Sequence, residues 1–303
     1  MRKPFNRMRR AEAVTAYACL FPSLMGLVFI TYLPLLTVFV LSLTDWKGIT
    51  EPNYIGLANY IRLFTKDPYF FDSIKVTVYY AFLSVMGGML FSLIVAMLLN
   101  RKIPARGFFR AVFYLPYVLP AMAVYLGWSW LYDYNNGFFN YVLNLMGIHK
   151  VMFLNDSGLA IPSLSLISVW LSGNLIVIFL AGLQNVPRVY HEAAEIDGAN
   201  AFQRFFSVTL PCMTPIIFYN LLMSLVTNMQ VVTPALALTQ GGPGNTTCFM
   251  SFILYRYAFK STPSKFGYSC AISAVFFVLI GVFTMILFAT SKSWIFYEGD
   301  DSR

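Results

Sequence analysis

The sequence predicts an all-α membrane protein of six transmembrane helices with both termini cytoplasmic. Three observations predict it. Of 303 residues, 58% are hydrophobic and 11% charged, whereas soluble domains carry roughly 25% charged residues. Six apolar runs, at about 14–43, 76–99, 111–132, 159–183, 205–237 and 267–290, contain no Asp, Glu, Lys or Arg. Each reaches the roughly 20 residues that one helical crossing needs. Thirteen Lys and Arg lie in the two tails and the loops after the second and fourth runs, against eight in the other loops. That bias puts the tails inside. The runs are continuously apolar rather than alternating, which argues for helices and against a β-barrel.

The first run follows Arg2, Lys3, Arg7, Arg9 and Arg10. It is longer than a signal core of about 7–15 residues and no small-residue cleavage site follows, so it reads as a retained helix. The loop at 44–72 carries Trp46, Tyr54 and Tyr60, and is expected to pack on the outer face. The second run ends before Arg101, Lys102, Arg106 and Arg110. The third holds Pro116 and Pro120; Pro22 and Pro34 interrupt the first, and Pro211, Pro215 and Pro234 the fifth. Each proline removes a backbone donor. The result is either a packing irregularity or a bent helix lining a cavity. Asn135-Asn136-Gly137 marks a turn in the loop at 133–156. The domain reading is one membrane domain at 14–290 between tails at 1–13 and 291–303.

Several chemistries are absent. No GxxxxGK[ST] segment exists for nucleotide binding. His191-Glu192-Ala193-Ala194-Glu195 lacks the second histidine of a zinc protease, and His149 is the other histidine. No metal site, no catalytic residue and no enzymatic activity are expected. Cys19, Cys212, Cys248 and Cys270 form no CxxC pair and read as small buried residues. The net charge of +8 follows from topology and needs no nucleic acid. Ion-coupled carriers keep ionisable groups in their spans. This chain has none there, which disfavours that alternative and implies that a partner supplies the energy.

Between the fourth and fifth runs lies a polar hairpin, about 184–208. Pro187 suits a helix start, Ala193 and Ala194 allow close approach of another surface, and Gly198 permits a break. Phe202, Phe205, Phe206 and Thr209 then recur at helical spacing. By periodicity alone this is an amphipathic connector lying in the interface.

Leu183-Gln184-Asn185-Val186-Pro187, Tyr190 to Ala199, Leu210-Pro211 and Pro215 together resemble the EAA loop of ATP-binding-cassette importer permeases. Leu238-Thr239-Gln240-Gly241-Gly242-Pro243 and Phe266-Gly267-Tyr268 are similar to segments of the sugar permeases of the maltose, oligosaccharide and glycerol-phosphate type. His191 stands where a leucine or tyrosine is more usual. The resemblance implies a permease in the bacterial plasma (inner) membrane that binds no cofactor itself, with ATP and Mg on a cytoplasmic ATPase dimer. It implies a second, different permease subunit and an extracellular or periplasmic solute-binding protein delivering a sugar. Glu192, Ala193, Ala194, Asp197 and Gly198 would form a coupling helix seated on the ATPase. Gly241, Gly242 and Pro243 would meet the binding protein. A permease for a non-sugar solute is the alternative within the family.

A sugar pathway needs amides, hydroxyls and aromatic faces in a mostly apolar cavity. Asn220, Ser224, Thr227 and Asn228 share one helical face of the fifth run, with Gln230 beyond; Trp170 and Asn174 stand four apart in the fourth, beside Ser172 and Gly173. The competing role for these residues is hydrogen bonding between helices, worth about 0.6–2 kcal/mol per contact. Trp46, Trp128, Trp130 and Trp294 are expected as interfacial anchors.

Overall fold

A computed structural model describes residues 5–49 and 51–296. Residues 1–4 and 297–303 of the two expected tails lie outside the described residues. Among the described residues the regular structure is helical, apart from one isolated bridge between Thr44 and Tyr54. In chain order the helices are α1 (Glu12–Leu41), α2 (Ala58–Thr65), α3 (Phe70–Asn100), α4 (Arg106–Val118), α5 (Ala121–Leu131), α6 (Phe138–Leu145), α7 (Ala160–Trp170), α8 (Gly173–Asn185), α9 (Arg188–Ile196), α10 (Ala201–Met229), α11 (Met250–Tyr255) and α12 (Phe266–Trp294).

Four of these, α1, α3, α10 and α12, are long and apolar enough to cross a membrane, and the bent pairs α4–α5 and α7–α8 raise the number to as many as six. The third and fourth apolar runs are therefore not single straight helices. The α4–α5 break bends by 99°. Val118 is the last helical residue before Leu119-Pro120, and Leu119 is extended; the residue before a proline is pushed out of the α region. The α7–α8 break bends by 51° at Leu171-Ser172 without any proline. Gly173 follows it, and a Cβ there would sit 2.5 Å from the Phe113 carbonyl oxygen. A side chain of any size would hold α8 away from α4. The fifth run also departs from expectation. α10 stops at Met229, and a wide turn at Ala235–Thr239 follows.

Widened helical turns occur at Leu27–Tyr32 within α1 and Phe205–Thr209 within α10. Each lies just before a proline, Pro34 and Pro211. The ring displaces the carbonyl four residues back, and a wider turn absorbs it.

The described residues fall into two compact units, one within 1–67 and 254–277 and the other within 68–253 and 278–303. In the first unit, Asn59 donates its amide to the carbonyls of Ser42 and Thr44, each at 2.8 Å. Asp67 accepts hydroxyl protons from Tyr257 at 2.7 Å and Tyr268 at 2.6 Å. Burial, then the hydrogen bond to Asp67 and its charge, push the Tyr257 hydroxyl above the usual tyrosine range. Phe266-Gly267-Tyr268 gains a structural reason here. Phe266 packs on Trp46, with ring centres 5.3 Å apart, and Gly267 donates its N–H to the Trp46 carbonyl at 2.9 Å. A Cβ on Gly267 would lie 2.1 Å from the Thr44 carbonyl oxygen. None of the apolar stretch of α1 is buried within the chain, and Cys19 is exposed with it.

In the second unit, α3, α8 and α10 enclose the main core. Its buried members include Ala96, Leu99, Ile176, Phe179, Leu180 and Met213. Gly182 lets α8 approach α10, since a Cβ there would meet Ile216 at 2.7 Å. Three of the tryptophans have aromatic neighbours: Trp46 meets Phe266, Trp128 joins a cluster with Tyr132, Phe139 and Trp170, and Trp294 meets Phe218. Trp130 is 81% exposed.

Candidate functional site

A cavity of about 560 Å³ lies in the second unit, where both helix breaks face α3 and α10. The breaks build it: Leu119 and Ala121 line it from the first, and Leu171, Ser172 and Asn174 from the second. Asn174, Asn220, Ser224, Thr227 and Asn228 all line this cavity. Among the described residues no Asp, Glu, Lys, Arg or His does. Its volume falls in the range of small-molecule sites, about 300–1,000 Å³. Trp170 lines a second hollow of about 470 Å³ with Trp128, and the two hollows share Leu119. Gln230 caps the end of α10, exposed, and lines neither.

The amides differ in their partners. Asn228 accepts from the Ser168 hydroxyl at 3.1 Å and donates to the Ser224 carbonyl at 2.9 Å. It thus joins α10 to α7, the helix-to-helix role weighed against a pathway role. Asn220 donates to the Ile216 carbonyl at 2.8 Å and Thr227 to the Met223 carbonyl at 2.8 Å, both within α10. Asn174 is half-buried at the cavity wall, and its side-chain amide has no hydrogen bond among the described residues. Its amide is the one most available to a guest.

Sequence reasoning missed Ser84, Gly88, Tyr117, Ser168 and Tyr219, which line the same cavity. A signal existed: Ser84, Gly88 and Ser92 recur every four residues along the second run. Ser92 meets Ser172 hydroxyl to hydroxyl at 2.9 Å, so this small polar stripe holds α3 against the α7–α8 break.

The polar hairpin is a short helix, a tight turn and the start of a span. α9 begins after Pro187, which suits a first helical turn with unpaired N–H groups. It ends with Asp197, Gly198 and Ala199 donating to the carbonyls of Ala193, Glu195 and Ala194 at 2.9–3.0 Å. Gly198 has φ +79°, the left-handed conformation that closes helices and that glycine adopts most easily. α10 then opens with a capping box: Gln203 N–H donates to Asn200 Oδ1 at 2.9 Å, and Asn200 N–H to Gln203 Oε1 at 2.8 Å. Arg204 pairs with Glu195 across the turn. His191 and Glu195 line a hollow of about 410 Å³ with Asn100 and Thr209.

Glu192, Ala193, Asp197 and Gly198 are exposed and Ala194 is half-buried. Val189, Ala193 and Ile196 stand at i, i+4 and i+7, and Ile196 is 87% exposed. An amphipathic helix with its apolar face uncovered marks an interaction surface.

The segment from Thr239 to Thr247 is a folded loop. Thr247 donates its hydroxyl to the Gly242 carbonyl and meets the Thr239 hydroxyl, both at 2.6 Å. Gly241 is buried at φ +89°, and a Cβ there would strike the Phe252 ring at 2.7 Å. Gly242 and Pro243 are half-buried, whereas Gln240, Gly244 and Asn245 are exposed. Gly241 thus shapes the loop from below while its neighbours present the surface.

Residues 88–296 match the model of the family described as "Binding-protein-dependent transport system inner membrane component". The chain is 37% identical to the probable ABC transporter permease protein YesP of Bacillus subtilis, over 98% of this chain and 96% of that one. It is 31% identical to the trehalose/maltose transport system permease protein MalF of Thermococcus litoralis, over 93% and 95%. It is 33% identical to the multiple sugar-binding transport system permease protein MsmF of Streptococcus mutans, over 90% and 93%. The fold matches a chain of a bacterial ABC transporter that imports the acidic polysaccharide alginate, with TM-score 0.78, 22% identity and coverage of 95% and 98%. A chain of a bacterial alginate transporter in complex with an alginate pentasaccharide-bound periplasmic protein matches with TM-score 0.79, also at 22% identity, over 95% and 97%.

Proposed function

The chain belongs to the binding-protein-dependent transport system inner membrane component family, and from that premise we propose that it is a permease subunit of an ATP-driven carbohydrate importer. It is a multi-pass inner-membrane protein. Family membership replaces the ion-coupled carrier as a reading and gives the energy a source outside the chain. The cargo is a sugar, oligosaccharide or polyol derivative. Trehalose/maltose, multiple-sugar and starch-degradation-product permeases among the relatives support that class. So does a cavity lined by amides, hydroxyls and tyrosines without a charged side chain.

One observation carries the mechanism. α9 presents an apolar face outward while its C-terminal end is fixed to the start of α10 by the glycine turn, the capping box and the Arg204–Glu195 pair. A helix held this way moves as a lever rather than bending on its own. Its outward face (Glu192, Ala193, Ala194, Asp197 and Gly198, with Val189 and Ile196) seats on a cytoplasmic ATPase subunit. ATP and Mg are bound there, and this chain binds no cofactor. Closure of the ATPase pair displaces α9, and α8 and α10 carry the displacement to the cavity they line. Asn174, Asn220, Ser224, Thr227 and Asn228 bind the passing sugar, with Trp170 and Gln230 along its path. A second, different permease completes the pathway. An external solute-binding protein delivers the cargo at the loop of Gly241, Gly242 and Pro243. The membrane domain is 14–290, with cytoplasmic tails on either side.

The test is purification of the chain from its native membrane, followed by ATPase measurement with the binding protein over a panel of sugars. The expected outcome is co-purification of a second permease and an ATPase, with hydrolysis stimulated by one class of sugar. Accumulation of solute by the purified chain alone, driven by an ion gradient, overturns the reading.

A further inference from the structure

The end of α12 reaches the base of the polar hairpin. Phe288 and Trp294 pack on Phe218 of α10, with ring centres 5.2 and 5.9 Å away. Ile295 closes the last helical turn by donating to the Ser291 carbonyl at 3.0 Å, and is 6% exposed. The next donor leaves the helix: Phe296 N–H donates to Thr214 Oγ1 at 2.9 Å. Thr214 lies near the middle of α10, between Pro211 and Pro215, and its hydroxyl donates to the Pro211 carbonyl at 2.7 Å. Phe296 also lines a crevice of about 240 Å³ whose other walls include Asn185, Val186 and Pro187, the three residues before α9, and Pro215, just beyond the hairpin. Phe296, just past the end of the last helix, thus borders both feet of the hairpin.

We propose that Ile295, Phe296 and Thr214 form a positioning clamp that makes the end of α12 move with α9, so that the lever drives three spans rather than two. Prolines explain why a side-chain hydroxyl serves as the anchor. Pro211 and Pro215 carry no N–H and loosen the turns of α10 around Thr214. Thr214 takes up the Pro211 carbonyl on one side and the N–H of Phe296 on the other. The clamp rests on the reading of α9 as the element that receives motor work.

The test uses the full complex in lipid nanodiscs, with MgATP as the only added ligand. Three variants are compared: Phe296→Ala, Thr214→Val and Thr214→Ser. Val keeps the shape of Thr214 and loses the hydroxyl; Ser keeps the hydroxyl. Hydrogen exchange at the amides of residues 186–200 is expected to quicken about five- to tenfold in Thr214→Val, the factor one lost hydrogen bond gives to local opening. Phe296→Ala is expected to act in the same direction, and Thr214→Ser to match the wild type. MgATP hydrolysis in Thr214→Val is expected to rise at unchanged ATPase content, because the motor then turns against a lighter load. Unchanged exchange and hydrolysis in Phe296→Ala and Thr214→Val overturn the clamp, as does a Thr214→Ser variant that behaves like Thr214→Val. Should the wild-type chain bring down no ATPase, the lever itself falls; should it do so while the variants match it, the clamp alone falls.

Discussion

Asn174 and Asn228 separate two roles that look alike in the sequence. Asn228 holds Ser168 of α7, whereas Asn174 faces the cavity with its amide unused by the fold. Asn174→Ala is therefore expected to weaken apparent sugar affinity about tenfold, the factor for one well-made hydrogen bond, with the melting temperature of the purified chain unchanged. Asn228→Ala is expected to lower both affinity and melting temperature. Titrated uptake and thermal unfolding in detergent check the pair. Gly198 is sensitive for another reason. A Cβ there would meet no atom within 4 Å, so crowding is not the cost. The cost is φ +79°, which strains a β-branched residue by about 1–3 kcal/mol. Gly198→Val is expected to insert normally and lose uptake, read as transport per unit of membrane-inserted protein. Normal uptake by that variant counts against the lever.

At the scale of elements, the α4–α5 and α7–α8 breaks decide where the cavity lies. Pro120 announces the first; nothing as plain announces the second. The α7–α8 break depends on Gly173 meeting the α4 backbone and on Ser172 meeting Ser92, contacts between segments distant in the chain. Gly173→Ala places a methyl carbon 2.5 Å from the Phe113 carbonyl oxygen. Overpacking of this kind costs about 1–3 kcal/mol, so a lower melting temperature and weakened uptake are expected together. The hairpin was more legible. Pro187, the alanine pair and Gly198 marked a helix and its stop. The Asn200–Gln203 capping box, readable as a polar residue three before an amide, was missed although it fixes the turn's exit. The GGP segment was only half legible. Its residues carried the resemblance, but that Gly241 packs against Phe252 while Gln240 and Asn245 reach the surface depends on α11, which follows in the fold.

At the scale of the whole molecule, orientation is the next quantity to measure. Ile49 is 99% exposed and Ile196 87% exposed, one before α3 and one in the hairpin. A membrane-impermeant maleimide is expected to label Ile49→Cys from outside, and Ile196→Cys only after the membrane is opened. Labelling of Ile196→Cys from outside contradicts the topology. The sequence by itself determined that the chain is a membrane helix bundle, because hydrocarbon admits only long apolar helices and tolerates almost no unpaired charge. It also determined the family, because the hairpin motif is local and keeps its spacing. Which amides face a shared cavity, which only tie helices together, and where α12 ends against α10 were decided by tertiary structure alone. Those outcomes depend on how bent helices approach one another, and a one-dimensional pattern of apolar residues carries no record of the bend.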